Sequence, residues 1–183
     1  MQTVENELVT CQGREFKLMI TEAEIQQRVA EIGRELTLTY AGKTPLLLSI
    51  LNGAFMFAAD LARAIDTDLE LTFIKLASYK GTSTTGSVQT VLGLDIELTG
   101  RHIIIVEDIV DTGLTLTNFF KELEKEQPAS VALVACFFKK EALQYPLSID
   151  HVGFEIPNKF IIGYGLDYDG LGRNYGAVYQ LNE

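Results

Sequence analysis

The order of hydrophobic and polar positions along the chain predicts an α/β fold, in which buried strands alternate with amphipathic helices. The first helix begins at Thr21, where Thr-Glu-Ala-Glu matches a capping box, and apolar residues recur at helical spacing as far as Leu36. Apolar runs bounded by turn residues indicate strands. The predicted strands are residues 45–51, 68–77, 88–92, 102–106, 131–138, 152–156, 160–164 and 177–180, and two further helices are predicted at 54–65 and 114–126.

The strand–helix–strand order in the middle of the chain implies a parallel sheet with helices on both faces. The run at 102–106 is continuously apolar and β-branched, as expected of a central parallel strand. We therefore expect a Rossmann-like sheet whose ligands bind beyond the carboxyl ends of its strands. No repeat, low-complexity tract or Pro/Gly-rich linker divides the sequence, so we expect a single domain over residues 1–183.

Composition and charge narrow the range of partners. Hydrophobic residues make up 47% of the chain and charged residues 22%, which is typical of globular proteins. The net charge of −10 argues against nucleic acid, which needs extended basic surface, but still allows a small anionic ligand held by one loop. The apolar runs are far shorter than the ~20 residues of a membrane span. The polar, acidic N-terminus has no signal-peptide pattern, so we expect neither secretion nor a membrane partner.

The two cysteines fit a reducing compartment, and we expect a cytoplasmic protein. Cys136 lies in the apolar run 131–138 and is interpreted as a buried free thiol, whereas Cys11 is interpreted as an ordinary reduced thiol. The two cysteines do not have the spacing of metal ligands.

The segment 106–115 carries the candidate chemistry, because acidic and small polar residues directly follow the most apolar strand. Glu107 and Asp108 end that strand, where buried carboxylates are costly unless a partner compensates them, and together they can accept hydrogen bonds from a vicinal diol. Asp-Thr-Gly-Leu-Thr then opens a helix, so its backbone N–H groups and the hydroxyls of Thr112 and Thr115 are able to hold a phosphate. The segment therefore predicts a site for a phosphorylated ribose.

Other interpretations explain less of this segment. An acidic helix N-terminus accounts for Asp111 and Thr112 but not for the Glu-Asp pair that ends the strand. The segment lacks the Gly-x-x-x-x-Gly-Lys arrangement of a Walker A loop, and Gly-x-Gly-x-x-Gly does not occur near a strand end.

Residues 103–115 closely resemble the loop that binds 5-phosphoribosyl 1-pyrophosphate (PRPP) in type I phosphoribosyltransferases. Four further segments are similar to the hypoxanthine–guanine phosphoribosyltransferase family, so the resemblance covers nearly the whole chain. They are residues 51–61, the loop beginning with Ser78 and Tyr79, Lys139 after the strand of Cys136, and residues 152–167. The resemblance implies the type I phosphoribosyltransferase fold, with a core at about 37–140 and a small hood formed by about 1–20 and 145–183.

The resemblance also implies an activity in purine salvage. The substrates would be PRPP and a 6-oxopurine (hypoxanthine, and guanine as well), the products IMP or GMP and pyrophosphate, and the cofactor Mg²⁺. The implied ribose and 5′-phosphate residues are Glu107, Asp108, Asp111, Thr112, Gly113, Leu114 and Thr115, and the implied pyrophosphate residues are Leu51, Asn52, Gly53 and Arg173. The implied purine residues are Lys139, Phe160, Ile161 and Asp167, and the implied Mg²⁺ residues are Asp167, Glu107 and Asp108.

Within this scheme each base-site residue has a separate task. Lys139 donates to the 6-oxygen of the purine, Phe160 stacks on the ring, and the backbone of Ile161 meets the Watson–Crick edge. Asp111 is the candidate general base, which accepts a proton from N7. Without the resemblance, Lys139 would be interpreted as a solvated charge, Phe160 as a core residue and Arg173 as part of a surface ion pair.

The loop 78–87 is rich in Ser, Thr and Gly, and we expect it to close over bound substrates, with Ser78 and Tyr79 nearest the chemistry. The alternative for this loop is a plain hairpin tip. Two positions depart from the family pattern, since some relatives carry Lys where this chain has Asn52 and Leu114. Those relatives have a cis peptide bond before the first of these positions.

Two rival functions remain open at this stage. A regulatory protein on the same fold would bind PRPP or a nucleotide without making product, and it would not need Lys139, Phe160, Asp167 and Arg173 together. A transferase selective for xanthine or guanine would differ in how C2 of the base is recognised, which side-chain identities do not determine. We expect a homodimer or a homotetramer, as in relatives of this kind.

Overall fold

The computed structural model describes residues 7–77, 89–90 and 96–182 of the chain. The order of its elements follows the predicted alternation of strands and helices. The strands are β1 (Leu8–Cys11), β2 (Arg14–Ile20), β3 (Leu46–Leu51), β4 (Glu70–Ala77), β5 (Gln89–Thr90), β6 (His102–Val110), β7 (Ser130–Phe138), β8 (His151–Glu155), β9 (Ile161–Ile162) and β10 (Val178–Leu181). The helices are α1 (Glu22–Tyr40), α2 (Phe55–Ala64) and α3 (Leu114–Lys125), and one turn of 3₁₀ helix spans Lys140–Ala142.

The central sheet has six strands in the order β5-β4-β3-β6-β7-β8. The strands β4, β3, β6, β7 and β8 are parallel, and β5 pairs antiparallel with β4 at the edge. Side chains alternate between the two faces, so Leu47 and Ile104 pack with α1 and α2, whereas Leu46 and Ile103 pack with α3. The predicted fold class, a Rossmann-like parallel sheet flanked by helices, is confirmed.

A second, smaller sheet joins the two ends of the chain in the order β1-β2-β10-β9. All of its pairings are antiparallel, and its interior contains Phe16, Ile162 and Tyr179, all buried. The hairpin of β1 and β2 was not among the predicted elements. It turns at Gln12 and Gly13, which both have positive φ (49° and 73°), as in a two-residue type I′ turn.

The helix α1 begins as predicted, with a complete capping box. The N–H of Glu24 donates to the Thr21 hydroxyl at 3.2 Å, and the N–H of Thr21 donates to the Glu24 carboxylate at 2.9 Å. The helix continues to Tyr40, four residues beyond the predicted end at Leu36, because Tyr40 is itself buried in the core. Both α1 and β8 pack with the central sheet, although they lie wholly or mostly outside the range 37–140 expected for the core.

Two strand boundaries differ from the prediction at positions that matter for the site. β6 runs on to Val110, because Ile109 and Val110 still pair with β7, so Glu107 and Asp108 lie inside the strand rather than in a loop after it. β9 is limited to two residues, because the chain turns through positive φ values at Gly163, Tyr164 and Gly165. Among the described residues, no helix is long and apolar enough to cross a membrane.

Candidate active site

A cavity of about 250 Å³ opens at the carboxyl ends of β3, β4 and β6, where the sheet topology predicts ligand binding. The residues around it come mainly from the end of β6 and the start of α3. They are Ile50, Leu76, Glu107, Ile109, Val110, Asp111, Thr112, Gly113, Thr115 and Leu116. Five of the seven residues predicted to hold the ribose and the 5′-phosphate therefore line one cavity.

The first turn of α3 faces this cavity and has the features of an anion site. Gly113, the residue before the helix, has a φ of +83° and supplies no side-chain cap. The N–H groups of a first helical turn have no acceptor within the helix and attract anions. The Thr112 hydroxyl accepts a long hydrogen bond of 3.5 Å from the N–H of Leu114 and lies beside these donors.

The segment 143–145 supports the loop before α3, a role that the sequence analysis did not assign to it. The carbonyl of Thr112 accepts hydrogen bonds from the N–H groups of Gln144 at 3.0 Å and Tyr145 at 3.1 Å. A Cβ atom at Gly113 would lie 3.0 Å from a Leu143 methyl group and 3.1 Å from the Tyr145 carbonyl oxygen. The segment 143–145 therefore fixes the backbone of this loop, and its close approach leaves room only for glycine at position 113.

Glu107 and Asp108 lie side by side at the end of β6, and both are half-buried. Burial, the charge of Asp108 and a hydrogen bond with the Asp108 side chain raise the pKa of Glu107 well above its usual range. Asp108 also accepts a hydrogen bond of 2.7 Å from the N–H of Ile109. A ligand that donates hydrogen bonds to both carboxyl groups would offset the effect of Asp108 on Glu107.

Gly53 lies where three predicted site segments meet. The Leu51–Asn52 peptide bond before it is cis, and the Asn52 side chain is exposed. A Cβ atom at Gly53 would overlap the carboxylate of Asp108, and a Cβ atom at Gly165 would overlap the Gly53 carbonyl oxygen. Glycine at both positions therefore allows the loop after β3, the end of β6 and the segment after β9 to touch.

Lys139 and Asp111 are brought together at the ends of β7 and β6. Lys139 Nζ lies 4.0 Å from Asp111 Oδ2, and the lysine side chain is only 12% exposed. The N–H of Lys139 donates to the Val110 carbonyl at 2.9 Å, which fixes the backbone from which the side chain extends. Lys139 is therefore not the solvated charge that its sequence position alone would indicate.

Asp167 and Arg173 form an ion pair in the turn that follows β9. Arg173 Nη2 lies 2.6 Å from Asp167 Oδ1, and Arg173 Nη1 donates to the Gly165 carbonyl at 2.7 Å. The second carboxylate oxygen of Asp167 accepts from the N–H of Gly170 at 2.7 Å. Both side chains are less than a third exposed, so this pair belongs to the turn and is not a loose surface contact.

Phe160 directly precedes β9 and Ile161 is its first residue, and the two differ in exposure. The Phe160 ring is 45% exposed and packs edge-to-face against Tyr168, with ring centroids 5.5 Å apart. Ile161 is buried and pairs with Gln180 of β10, and the Phe160 carbonyl accepts from the N–H of Leu181 at 2.9 Å. Phe160 is therefore not a core residue, and its exposed ring is free to stack on a ligand.

The lid and the Mg²⁺ site are two predicted features that the described residues do not show. Ser78 and Tyr79, the predicted lid residues, lie outside the ranges that the structure describes. Within those ranges, no group of three or more His, Cys, Asp or Glu side chains is close enough together to hold a metal ion, so Glu107, Asp108 and Asp167 do not form one preformed cluster. Mg²⁺ usually takes few protein carboxylates and completes its shell with substrate oxygens and water.

Known proteins resemble this chain in both sequence and fold. The phosphoribosyl transferase domain family matches residues 19–169. A hypoxanthine-guanine phosphoribosyltransferase of Aquifex aeolicus is 36% identical over 173 residues, which are 93% of this chain and 97% of that protein. A protein of the same name from Lactococcus lactis is 43% identical over 163 residues, which are 88% of each chain. The crystal structure of a hypoxanthine phosphoribosyltransferase from Staphylococcus aureus has a TM-score of 0.86 at 35% identity and covers 91% of each chain.

The resemblance noted in the sequence is thereby confirmed. The match extends from the end of β2 into the turn after β9, and it includes the loop before α3, Lys139 and Asp167. The chain belongs to the phosphoribosyltransferase family and, within it, to the hypoxanthine-guanine phosphoribosyltransferases.

Proposed function

We propose that the protein transfers the phosphoribosyl group of PRPP to N9 of hypoxanthine or guanine, forming IMP or GMP and releasing pyrophosphate. The observation that carries the proposal is the Lys139–Asp111 pair, whose charged atoms are 4.0 Å apart beside the cavity. A 6-oxopurine has an acceptor at O6 next to N7, and a donor facing an acceptor suits that edge. Adenine has an amino group in place of O6, which would face the donors of Lys139.

Asp111 acts as the general base in this scheme. When the bond between the sugar and pyrophosphate breaks, positive charge develops on the ribose and N9 of the base forms the new bond. The proton on N7 of the base then passes to the carboxylate of Asp111, which lines the cavity. Lys139 holds O6 at the same edge, so Lys139 orients the base while Asp111 removes its proton.

The ribose and its 5′-phosphate occupy the cavity between β6 and α3. Glu107 and Asp108 accept hydrogen bonds from the two ring hydroxyls, and their proximity suits a vicinal diol. The first-turn N–H groups of α3 and the hydroxyls of Thr112 and Thr115 hold the phosphate. Leu114 has no donor to offer, so this loop relies on backbone and hydroxyl groups where some relatives have a lysine.

The pyrophosphate group lies between the loop at Leu51, Asn52 and Gly53 and the turn that carries Arg173. Asn52 brings no charge, so the backbone of this loop and the guanidinium of Arg173 stabilise the leaving group. The carboxylates of Asp167, Glu107 and Asp108 are hard oxygen donors of the kind that Mg²⁺ prefers, and few of them are needed. When bound, Mg²⁺ would neutralise charge on the departing pyrophosphate.

Phe160 stacks on the base, which the 45% exposure of this residue supports. The Ile161 backbone meets the Watson–Crick edge of the base. Ser78 and Tyr79, which lie outside the described residues, are the residues that we propose for closing the site against water. We propose a homodimer or homotetramer, supported by exposed apolar side chains at Phe55, Leu71 and Phe73. We also propose a cytoplasmic location, supported by the two free cysteines.

A spectrophotometric assay tests the proposal. The protein is incubated with PRPP and Mg²⁺ and offered hypoxanthine, guanine, xanthine and adenine in parallel. Turnover of hypoxanthine or guanine that stops on addition of EDTA is the expected result, with adenine inactive. If PRPP or a nucleotide binds but no base turns over, the protein is a sensor on this fold and the proposed transfer is wrong.

A further inference from the structure

A buried hydrogen bond between Tyr164 and Asp60 has no part in the reaction scheme above. The Tyr164 hydroxyl donates to Asp60 Oδ2 at 2.7 Å, and Tyr164 is 2% exposed. Asp60 also accepts from Gln26 at 2.8 Å and pairs with Arg63. Burial and the hydrogen bond to Asp60 raise the pKa of the Tyr164 phenol far above its usual range, so the group stays protonated and donates at every physiological pH.

Tyr164 lies at the start of the turn that carries Asp167 and Arg173. This turn is tied internally by hydrogen bonds between the backbones of Gly163 and Leu166, at 3.1 and 3.0 Å, and from the N–H of Gly165 to the Arg173 carbonyl at 3.0 Å. The Arg173 side chain donates to Gly165 as well, at 2.7 Å. Because the turn is cross-linked in this way, a shift at Tyr164 is passed on to Asp167 and Arg173.

Asp60 lies on the helix that starts at the opposite side of the proposed pyrophosphate site. The helix α2 begins at Phe55, directly after the loop that contains the Leu51–Asn52 peptide and Gly53. The two sides already touch, since a Cβ atom at Gly165 would overlap the Gly53 carbonyl oxygen. The Tyr164–Asp60 bond therefore adds a second link, next to Gly165 on the side of the turn and in the second turn of α2 on the other side.

The backbone of Tyr164 indicates that this side chain is held in place. Its φ is +46°, in the left-handed region, which bulky residues rarely adopt. Its neighbours Gly163 and Gly165 have φ values of +100° and +98° and adopt them without a side-chain penalty. A tyrosine at the centre of such a turn needs compensating contacts, and its hydroxyl and buried ring supply them.

We propose that Tyr164 and Asp60 are a positioning pair that fixes the separation between the two sides of the pyrophosphate site. The turn with Asp167 and Arg173 forms one side, and the loop from Leu51 to Gly53 forms the other. This inference rests on the proposed function, which assigns pyrophosphate to these segments.

Of the residues implied for the purine, only Asp167 lies on this turn, and the other three are held by other contacts. Phe160 and Ile161 are held by the pairing of β9 with β10, through the Gln180 register and the N–H of Leu181. Lys139 extends from the end of β7, where its N–H is fixed by the Val110 carbonyl at 2.9 Å. The positioning pair therefore affects the affinity for PRPP and pyrophosphate much more than the affinity for the purine.

Steady-state kinetics of the full chain with Tyr164→Phe test the proposal. We expect KM for PRPP, and KM for pyrophosphate in the reverse reaction, to rise about tenfold, the effect of losing one hydrogen bond to a charged group. KM for hypoxanthine is expected to stay within about twofold, since β9 is held by its own pairing with β10. Tyr175→Phe is the matched control, because it removes a phenol oxygen close by in the chain while its ring keeps its packing on Tyr179, and it leaves all three constants unchanged.

Variants at Asp60 separate positioning from a general loss of structure. Asp60→Ala is expected to raise KM for PRPP as Tyr164→Phe does, and the double variant is no worse than either single one. Asp60→Asn keeps an acceptor oxygen and restores most of the PRPP affinity. If Tyr164→Phe does not fold, the comparison of Asp60→Ala with Asp60→Asn decides the question.

Several outcomes would overturn the inference. They are an unchanged KM for PRPP in Tyr164→Phe, an equal rise in KM for hypoxanthine, additive effects in the double variant, or no difference between Asp60→Ala and Asp60→Asn. Each of these is measured against an active wild-type protein, so it refutes the positioning pair alone. A wild-type protein that turns over no base refutes the proposed function instead.

Discussion

The ammonium group of Lys139 faces the carboxylate of Asp111 at 4.0 Å, across the carboxyl ends of the neighbouring strands β7 and β6. The lysine side chain is 12% exposed and the aspartate side chain 52%, so the cation is enclosed by protein while the anion remains accessible. A planar ligand between them meets a fixed donor and an accessible acceptor. In the proposed reaction, recognition of the base therefore falls to Lys139 and proton removal to Asp111, and the two roles predict different kinetic effects.

Replacing Asp111 with Asn should slow turnover without abolishing substrate binding. Loss of a general base typically lowers kcat by about 10²–10⁴-fold, whereas an amide of the same shape leaves the phosphate loop in place. We expect kcat for hypoxanthine to fall in this range while the dissociation constant for PRPP, measured by calorimetry, changes less than about threefold. Asp68→Asn makes the same change at an exposed carboxylate outside the site and serves as the control. Unchanged turnover in Asp111→Asn would remove Asp111 from the role of base.

Replacing Lys139 with Met should weaken binding of the purine and spare PRPP. A hydrogen bond to a charged group contributes about 1.5–3 kcal/mol, so KM for hypoxanthine and guanine is expected to rise about 10–100-fold. Lys140→Met is a matched control, because Lys140 is 68% exposed and pairs with Glu155 at 3.7 Å instead of Asp111. A rise in KM for PRPP as large as that for the base would contradict the assignment, and adenine should remain a poor substrate for both variants.

The sequence predicted the central sheet well because buried parallel strands have long apolar runs that few other structures share. The hairpin of β1 and β2 was missed for the opposite reason. Phe16, Leu18 and Ile20 occupy alternate positions of β2, but the apolar Met19 between them obscures the alternation that marks a half-buried strand. The signal that remained was the Gln12-Gly13 turn, which a pattern based on apolar residues does not include.

The candidate site was predicted where chemistry depends on local sequence and missed where it depends on contacts between distant segments. The run from Glu107 to Thr115 is contiguous, so its acidic and glycine positions are informative in themselves. Asp60 and Tyr164 are 104 residues apart, and each looks ordinary in its own element. The support of Thr112 by Gln144 and Tyr145 uses backbone groups alone, which side-chain identity does not reveal.

Replacing Gly113 with Ala should weaken PRPP binding in addition to its effect on stability. A non-glycine residue in the left-handed region costs about 1–2 kcal/mol, and the added methyl group would meet Leu143 at 3.0 Å and the Tyr145 carbonyl at 3.1 Å. We expect a lower melting temperature together with a rise in KM for PRPP of about tenfold or more, since the start of α3 must shift.

Gly100→Ala provides the matched control for this change. Gly100 has a similar φ of +71°, but nothing lies within 4 Å of a Cβ atom built there. The backbone cost is therefore the same while the crowding is absent, and the site is remote from this turn. Gly100→Ala should lower the melting temperature without changing KM for PRPP. Equal KM values in the two alanine variants would show that the loop before α3 does not hold the substrate.

Replacing Glu107 with Gln should stabilise the protein at alkaline pH in the absence of substrates. Burial and the neighbouring Asp108 raise the pKa of Glu107 in the folded state, whereas in the unfolded chain a glutamate has its ordinary pKa of about 4.3. The folded protein therefore holds this proton more tightly. At pH values below the unfolded-state pKa, Glu107 contributes fully to the stability of the fold. This contribution is lost as the pH rises through the folded-state pKa of Glu107. Glutamine has no proton to lose, so the variant avoids the loss.

Thermal melts between pH 4 and pH 8 measure this effect directly. At pH 8 the Glu107→Gln protein should melt about 2–4 °C above the wild type, the shift that roughly 1 kcal/mol produces in a domain of this size. The difference should disappear at pH 4, where Glu107 is protonated in the folded wild type. Glu126→Gln, at an exposed position outside the cavity, should show no such pH-dependent gain. If Glu107→Gln were less stable than the wild type at pH 8, the Glu107 carboxylate would have to be stabilised in the folded protein, and the raised pKa of Glu107 would be wrong.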